Sequence, residues 1–239
     1  MKINSANMHY RELNEIIKNS IGNVRIVNCI GQKYIASGLS DRKIVIDGVP
    51  GNALGCYLDG AEITVNGNVQ DAVGDTMNAG KIVVHGGAGD VLGYAMRGGK
   101  IFVRDNSGYR TGIHMKAYKE KKPVIVIGGK AGDFLGEYMA GGIIIILNLY
   151  DSNVDLGQFT GVGMHGGKIY IRELVTPKYV SPQISVSSAQ GENELEEIVP
   201  YLKEFCTLFD VDIKKLLESK YTVLYPNASN PYRQMYTHN

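Results

Sequence analysis

Three sets of residues in this chain could do chemistry, and the first is a set of histidines, His85, His114 and His165. Imidazole is a common metal ligand and general base. The three histidines fall at different places in a repeat that fills the middle of the chain, so we expect them not to line up on one face. The spacing of serine, histidine and aspartate favours no catalytic triad. The sequence therefore assigns no catalytic, cofactor-binding or metal-ligating residue.

The second set consists of two glycine-rich segments that are similar to ligand-binding motifs. Residues 161–166 match G-x-G-x-x-G, but a dinucleotide site needs this motif between a strand and a helix, and here a predicted strand follows it. Residues 86–90 are similar to the calcium-binding G-G-x-G-x-D turn of some β-helices but are one residue short. Because the equivalent position is not always acidic, we expect its aspartates to bind turn amides rather than calcium. The equivalent residues are Asn52, Asp71, Asp90, Tyr109, Asp133 and Gln158.

The third set is basic and aromatic, and it would suit an anionic small molecule, as substrate or as ligand. We predict that these side chains line one surface groove. They are Arg97, Arg104, Tyr109, Arg110 and His114. A basic insertion at residues 116–123 and a second insertion at residues 148–156 are further places for a partner to bind, since loops on a rigid scaffold often carry function.

A repeat of 19 residues must position all of these side chains. Gly55, Gly74, Gly93 and Gly112 are each 19 residues apart, and the pattern resumes at Gly136 and Gly161 after the two insertions. Aliphatic residues follow the same spacing, for example Ile44, Ile63, Ile82 and Ile101. The chain holds about seven copies of this unit. A fixed period of about 20 residues is typical of a solenoid.

The unit predicts an all-β, right-handed parallel β-helix of about seven coils, with small α-helical segments at both termini. Each strand has two aliphatic positions flanking a variable one, which is the alternation of a β-strand. Stacked coils, about 4.8 Å apart, would pile equivalent aliphatic side chains into internal ladders. A leucine-rich horseshoe fits less well, because the units lack its leucines and asparagine. A propeller of two-unit blades would require odd and even copies to differ, and they do not.

The repeat divides the chain into an N-terminal cap (1–36), a β-helix (37–173) and a C-terminal linker, helix and tail (174–239). The two end segments are expected to cover the open ends of the solenoid. Apolar spacing predicts helices at residues 9–18, 192–209 and 213–217, and extended segments at residues 24–27, 33–36 and 221–225. On the long C-terminal helix the apolar face comprises Leu195, Ile198, Val199, Leu202, Phe205 and Cys206.

Composition excludes several classes of protein. The chain has 25 basic and 24 acidic side chains, so it lacks the charge of a nucleic-acid binder. Its three cysteines are far apart and indicate buried thiols in a reducing compartment. The N-terminus does not have the pattern of a signal peptide, and the longest apolar run, residues 143–147, is too short to cross a bilayer. We therefore expect a cytoplasmic protein that binds neither nucleic acid nor membrane.

The repeat units resemble a known family. Residues 68–84 and 89–103 are similar to the GXGXG repeat that forms the C-terminal domain of the glutamate synthase large (alpha) subunit, and they also resemble the GXGXG-repeat subunit of formylmethanofuran dehydrogenase. Residues 102–108 and 136–142 are similar to the glutamate synthase version in particular. This resemblance covers residues 37–173 well and is weaker in the tail.

The resemblance implies a non-catalytic structural subunit of a split glutamate-synthase-like complex, which makes glutamate from glutamine and 2-oxoglutarate. In that family the β-helix braces an amidotransferase against a flavin- and iron–sulfur-bearing synthase. This chain would therefore carry no cofactor itself, and FMN and an iron–sulfur cluster are expected on its partner subunits. A homo-oligomer is also compatible with the sequence. The alternatives are a stand-alone enzyme or binder that takes an anionic small molecule in a surface groove, and a scaffold like the GXGXG-repeat subunit of formylmethanofuran dehydrogenase.

Overall fold

The computed structural model describes residues 1–150, 157–173 and 180–227. Its strands form one 11-stranded sheet in the order β1-β2-β3-β4-β5-β6-β7-β8-β9-β11-β10. Strands β1 to β9 pair in parallel, each with its neighbours in the chain. Their bounds are Lys2–Asn4 (β1), Val24–Ile30 (β2), Lys43–Val49 (β3), Asp59–Asn66 (β4), Ala79–Val84 (β5), Lys100–Val103 (β6), Val124–Ile127 (β7), Ala140–Ile146 (β8) and Gly166–Arg172 (β9).

The repeat is one turn of a parallel β-helix, as predicted. Ile63 pairs with Ile82, and Ile82 pairs with Ile101, so equivalent residues lie directly above one another. All three side chains have no exposed surface, and they join a continuous interior core. The solenoid has about eight turns, one more than the sequence predicted, because β2 already belongs to the stack.

The first turn shows why one predicted strand is wrong. Residues 33–36 are a turn rather than a strand, and Tyr34 and Ala36 have left-handed backbone with φ of 59° and 61°. Ala36 occupies the place that Gly55 takes in the next turn, where the Gly55 amide donates to the Ile35 carbonyl at 2.8 Å. Because residue 36 is not glycine, nothing in the sequence indicates a corner here, and the segment is predicted to be extended.

The two ends of the interior core are covered. At the N-terminus helix α1 (Tyr10–Asn19) buries Leu13 and Ile17 in the core, which confirms the predicted helix. At the C-terminal end β11 (Lys220–Pro226) pairs antiparallel with β9, and β10 (Ile184–Gln190) pairs antiparallel with β11. The predicted extended segment is confirmed in β11. Strand β10 was not predicted, because its serine-rich sequence lacks apolar alternation.

Three short helices cover the outside of the sheet: α2 (Gly191–Glu194), α3 (Val199–Phe209) and α4 (Ile213–Glu218). The last helix confirms the prediction for residues 213–217. The single helix predicted at residues 192–209 is interrupted between α2 and α3, because Pro200 lies in the first turn of α3, where it needs no amide hydrogen. The predicted apolar face is nevertheless buried along its whole length.

These helices create a second core on the outer face of the strands. The middle residue of the strand is half-buried in the early turns, at Val45 and Thr64, but apolar and buried from Val83 onward. Phe102 and Phe205 both belong to this core and are fully buried. The outward-facing residues of the later strands are therefore covered, although the alternation alone would place them in solvent.

In the part of the chain that the structure describes, no helix is long and apolar enough to cross a membrane. Residues 151–156 of the second predicted insertion lie outside the described residues. The division of the chain into three domains stays a prediction.

Candidate functional site

The corner between successive strands carries an unusual backbone pattern. In each turn three alternate residues have left-handed backbone, for example Ala53, Gly55 and Tyr57 with φ of 62°, 64° and 57°. The middle amide donates to a carbonyl of the preceding turn at 2.8 Å, and the outer two donate to carbonyls of the following turn at 2.9 and 2.7 Å. This corner wall is therefore hydrogen-bonded from turn to turn without being a strand.

The middle one of these three residues must be glycine in most turns, because a Cβ at this position would point into the core. A Cβ on Gly112 would lie 2.4 Å from Cδ1 of the interior residue Ile144. The outer two positions carry side chains in most turns, and they form two columns along the wall. The first column is Ala53, Ala72, Val91, Arg110, Phe134 and Phe159, and the second column is Tyr57, Thr76, Ala95, His114, Tyr138 and Gly163.

Left-handed backbone costs a non-glycine residue about 1–2 kcal/mol, and such costs concentrate at functional sites. The corner wall bears many of these residues and is also rich in exposed aromatic rings. Arg110 lies over the Phe134 ring at 4.7 Å, and Phe134 stacks on Phe159 at 5.0 Å. Side chains on this wall are therefore held in fixed positions and remain accessible.

An open cleft of about 580 Å³, the corner cleft, lies on this wall. Two small residues, Ala95 and Ala140, line it together with larger side chains. The ring of His114 stacks on Tyr138 at 5.2 Å and meets the edge of Tyr94 at 5.9 Å, so two tyrosines fix it. The cleft is lined by Tyr94, Ala95, Arg97, His114, Lys116, Tyr138, Ala140 and His165.

Arg97 and Lys116 give the cleft its charge. They occupy equivalent positions in successive turns, and their amides donate to Met77 and Met96 of the turns before at 2.8 and 3.0 Å. Neither forms an ion pair with any of the residues that the structure describes. All other side chains that line the corner cleft are aromatic or small, so it presents two cations and no carboxylate.

The expectation that the three histidines lie on different faces is wrong for two of them. His114 and His165 both line the corner cleft, although they fall at different places in the repeat. His165 Nδ1 lies 3.2 Å from the Gly163 carbonyl, which can only accept, so this contact places the hydrogen on Nδ1. His85 lies elsewhere, with its ring against Phe209. Its pKa is lowered, mainly by burial and to a smaller extent by the positive charge of Arg104.

The predicted groove does not exist as one site. Arg97 and His114 share the corner cleft, but Arg104 pairs with its neighbour Asp105 at 2.9 Å outside it. Arg110 pairs with Glu137 at 3.1 Å, and neither it nor Tyr109 lines the cleft. Two of the five predicted residues therefore share a cleft, and the other three do not line it.

The predicted groove did not include Tyr94, Tyr138 or Lys116, although Lys116 begins the insertion that was predicted to bind a partner. The basic insertion at residues 116–123 folds back as a hairpin, in which Tyr118 and Lys121 exchange backbone hydrogen bonds of 3.0 Å. It walls a second open cleft of about 760 Å³, which shares Arg97 and Lys116 with the first. The available signal was that the insertion begins two residues after His114 of the second corner column.

The glycine-rich segments behave as predicted. Asp90 Oδ1 accepts from the Tyr109 amide at 2.8 Å, and Asp71 and Asp133 accept from the equivalent amides of their next turns. Residues 161–166 form a corner that leads into β9 and not into a helix. Among the residues described, no group of three or more histidine, cysteine, aspartate or glutamate side chains is placed to bind a metal.

The three cysteines are buried and unpaired, as the sequence indicated. Burial raises the pKa of Cys29 to about 11. Burial, together with the charge of Asp212, raises the pKa of Cys206 to about 11 as well. These thiols therefore stay protonated at neutral pH and lack the thiolate that a nucleophile or metal ligand requires.

Comparison with known proteins agrees with the repeat. The chain matches the family described as "GXGXG motif" over residues 4–228. It is 46% identical to the uncharacterized protein MJ1350 of Methanocaldococcus jannaschii, over 98% of this chain and 95% of that protein. Its fold is similar to a chain in the crystal structure of the formyltransferase/hydrolase complex (FhcABCD) of Methylorubrum extorquens with methylofuran. That match has a TM-score of 0.65 and 19% identity, and covers 92% of this chain and 89% of the other. With its repeated glycine corners and a match over nearly its whole length, the chain belongs to the GXGXG motif family.

Proposed function

We propose that the chain is a non-catalytic structural subunit of a glutamate-synthase-like complex, which braces an amidotransferase subunit and an FMN- and iron–sulfur-bearing synthase subunit. The observation that carries this proposal is the exposed aromatic surface of the corner wall. Six aromatic side chains on this wall are 39–56% exposed: Tyr34, Tyr57, Tyr94, Tyr109, Tyr138 and Phe159.

Such a surface fits a protein partner. Tyrosine and phenylalanine are enriched in protein–protein interfaces, where they bury large area at a low cost in conformational entropy. The opposite flank of the solenoid is already covered by α3 and α4. The corner wall is also stiff, because each turn is hydrogen-bonded to the next along it. A stiff aromatic wall is suited to hold two partner subunits at a fixed separation.

A scaffold like the GXGXG-repeat subunit of formylmethanofuran dehydrogenase is the second candidate. The similar fold found in the formyltransferase/hydrolase complex favours it. Both candidates give the chain the same bracing role and differ in the identity of the partner subunits.

The test is purification of the tagged full chain from its native cells under mild conditions, followed by mass spectrometry and visible absorbance spectroscopy. We expect an amidotransferase and a partner with the absorbance of flavin and an iron–sulfur cluster. Recovery of a formyltransferase instead would support the second candidate and contradict the first. Recovery of the chain alone would contradict both.

Variants locate the interface. Tyr57→Asp combined with Phe159→Asp places charge on the corner wall, and we expect it to abolish co-purification. Tyr225→Asp is the matched control, because Tyr225 is 37% exposed on β11, away from this wall. Equal retention of the partners by both variants would contradict the proposed surface.

A further inference from the structure

Arg97 and Lys116 stand out in comparison with another stacked pair of cations on this solenoid, which shares a carboxylate. Lys81 and Lys100, also at equivalent positions of successive turns, both bind Glu204 of α3, with 3.2 Å from Lys81 Nζ to the carboxylate. Arg97 and Lys116 have no ion-pair partner within the described ranges.

A second carboxylate also binds two lysines, although one of them precedes β7 and the other lies on β9, two turns away. Lys122 and Lys168 both bind Glu197, at 3.0 and 2.8 Å from Nζ to the carboxylate oxygens. The hydroxyl of Tyr170 donates to the same carboxylate at 2.9 Å. In both clusters one carboxylate bridges two cations, and in the Lys81–Lys100 cluster the cations are stacked in the same way as Arg97 and Lys116.

The spacing of Arg97 and Lys116 limits the kinds of anion that can contact both of them. Adjacent turns are about 4.8 Å apart, so two like charges stacked this way repel each other, and an anion between them removes that cost. Charge-assisted hydrogen bonds from a guanidinium and an ammonium are among the strongest that a protein makes. The oxygens of one phosphate, or the two ends of a small dicarboxylate, can contact both turns at once.

The walls of the corner cleft suit a small molecule rather than a bare ion. Tyr94 and Tyr138 add hydroxyl donors and aromatic faces, with the fixed ring of His114 between them. Glu120 lines the second cleft, and it pairs with neither cation among the described residues. The volume of about 580 Å³ is in the range of small-molecule sites.

We propose that the corner cleft binds a small molecule whose oxyanion groups carry at least two negative charges, a phosphate ester or a dicarboxylate, with Arg97 and Lys116 as its charge partners. This site goes beyond the bracing role. It shares Tyr94 and Tyr138 with the aromatic surface proposed for the partners, but all of its lining residues belong to this chain, so its binding is measured on the chain alone. Its failure would leave the bracing role intact.

The test is isothermal titration calorimetry on the purified full chain with pyrophosphate and with 2-oxoglutarate, and with acetate as a monoanion. We expect saturable binding of at least one dianionic or polyanionic probe and none of acetate. In NMR spectra the ring signals of His114 and His165 should shift with the same saturation, while those of His85 should not. A preference for pyrophosphate would indicate a phosphate ligand, and a preference for 2-oxoglutarate a carboxylate ligand; either supports the site.

The double variant Arg97→Gln with Lys116→Gln should weaken binding at least about tenfold, because each change removes a charge-assisted hydrogen bond. The control Lys43→Gln with Lys203→Gln removes the same charge from exposed positions outside the cleft, and it should keep the affinity. Absence of saturable binding to both probes, or equal weakening in the two double variants, would overturn the proposal.

Discussion

At the scale of single residues, the fold depends on which corner positions must lack a side chain. Gly38 and Gly112 both have left-handed backbone, with φ of 68° and 72°. A Cβ on Gly38 would meet nothing within 4 Å, whereas one on Gly112 would overlap Ile144. Alanine substitutions at these two glycines therefore separate the cost of left-handed backbone from the cost of steric overlap.

We expect Gly112→Ala to lower the free energy of unfolding by about 2–4 kcal/mol. About 1 kcal/mol of this comes from the left-handed backbone and the rest from overpacking against Ile144. Gly38→Ala should cost only the backbone part, about 1 kcal/mol. Urea unfolding followed by circular dichroism measures both, and equal losses would show that the core accommodates the extra methyl group.

The sequence revealed the middle glycines but not the two columns beside them. The spacing from Gly55 to Gly112 marked the corner directly, because glycine is the residue that such a position selects. Val91 and Phe159 also have left-handed backbone, but valine and phenylalanine are not residue types that indicate this conformation. The corner cleft was missed for this reason, since its side chains are brought together by that backbone and not by a shared motif.

At the scale of elements, carboxylates fasten the C-terminal helices to the strands. Glu197, between α2 and α3, accepts hydrogen bonds from Lys168, Lys122 and Tyr170. Burial alone would raise the pKa of Glu197, but these three hydrogen bonds outweigh it and lower the pKa from 4.5 to about 2. In the other direction, burial and the bond to Glu197 raise the pKa of Tyr170.

This shift predicts how stability depends on pH. A carboxylate whose pKa is lowered in the folded state contributes stability that is complete above its unfolded pKa and is lost as the pH falls toward the folded pKa. For Glu197 the contribution should disappear between about pH 4.5 and pH 2. We expect Glu197→Gln to be less stable than the parent chain by about 1 kcal/mol at neutral pH.

The difference in the free energy of unfolding between the parent chain and Glu197→Gln should shrink toward zero as the pH falls from about 4.5 to about 2. Urea unfolding at a series of pH values measures it. Glu192→Gln is the control, because its carboxylate is 63% exposed and lies 3.6 Å from Lys203. This control should stay close to the parent at each pH. A constant difference for Glu197→Gln down to the acid limit would contradict the role of the charge.

The sequence predicted the helix face but not the surface that it covers. The apolar spacing of Leu202 and Phe205 identified one side of α3. The middle strand position changes from Thr64 to Phe102, which indicated that the later turns are also covered on their outer face. The structure shows that α3 is what covers them. Pro200 similarly lies in the first turn of α3, and the apolar spacing gave no sign that the helix is interrupted before it.

At the scale of the whole molecule, the solenoid is a row of turns, and each turn contacts mainly its neighbours. The middle turns are covered on both faces, by the interior core and by the C-terminal helices. The early turns are covered on the inner face alone, since Val45 and Thr64 are half-buried. Stability in such an array is a sum of local terms, so it should vary along the stack.

We expect native-state hydrogen exchange to reveal this gradient. The strand amides of Val126 and Ile145, whose side chains are fully buried, should exchange slowest, because opening there exposes both cores. The amides of Val45 and Thr64 have the same kind of parallel partners but should exchange faster, because opening them exposes the interior core alone. Low concentrations of urea should enlarge the difference. Equal rates along β3 to β8 would mean that the stack opens as one cooperative unit and that the helices add nothing local to its stability.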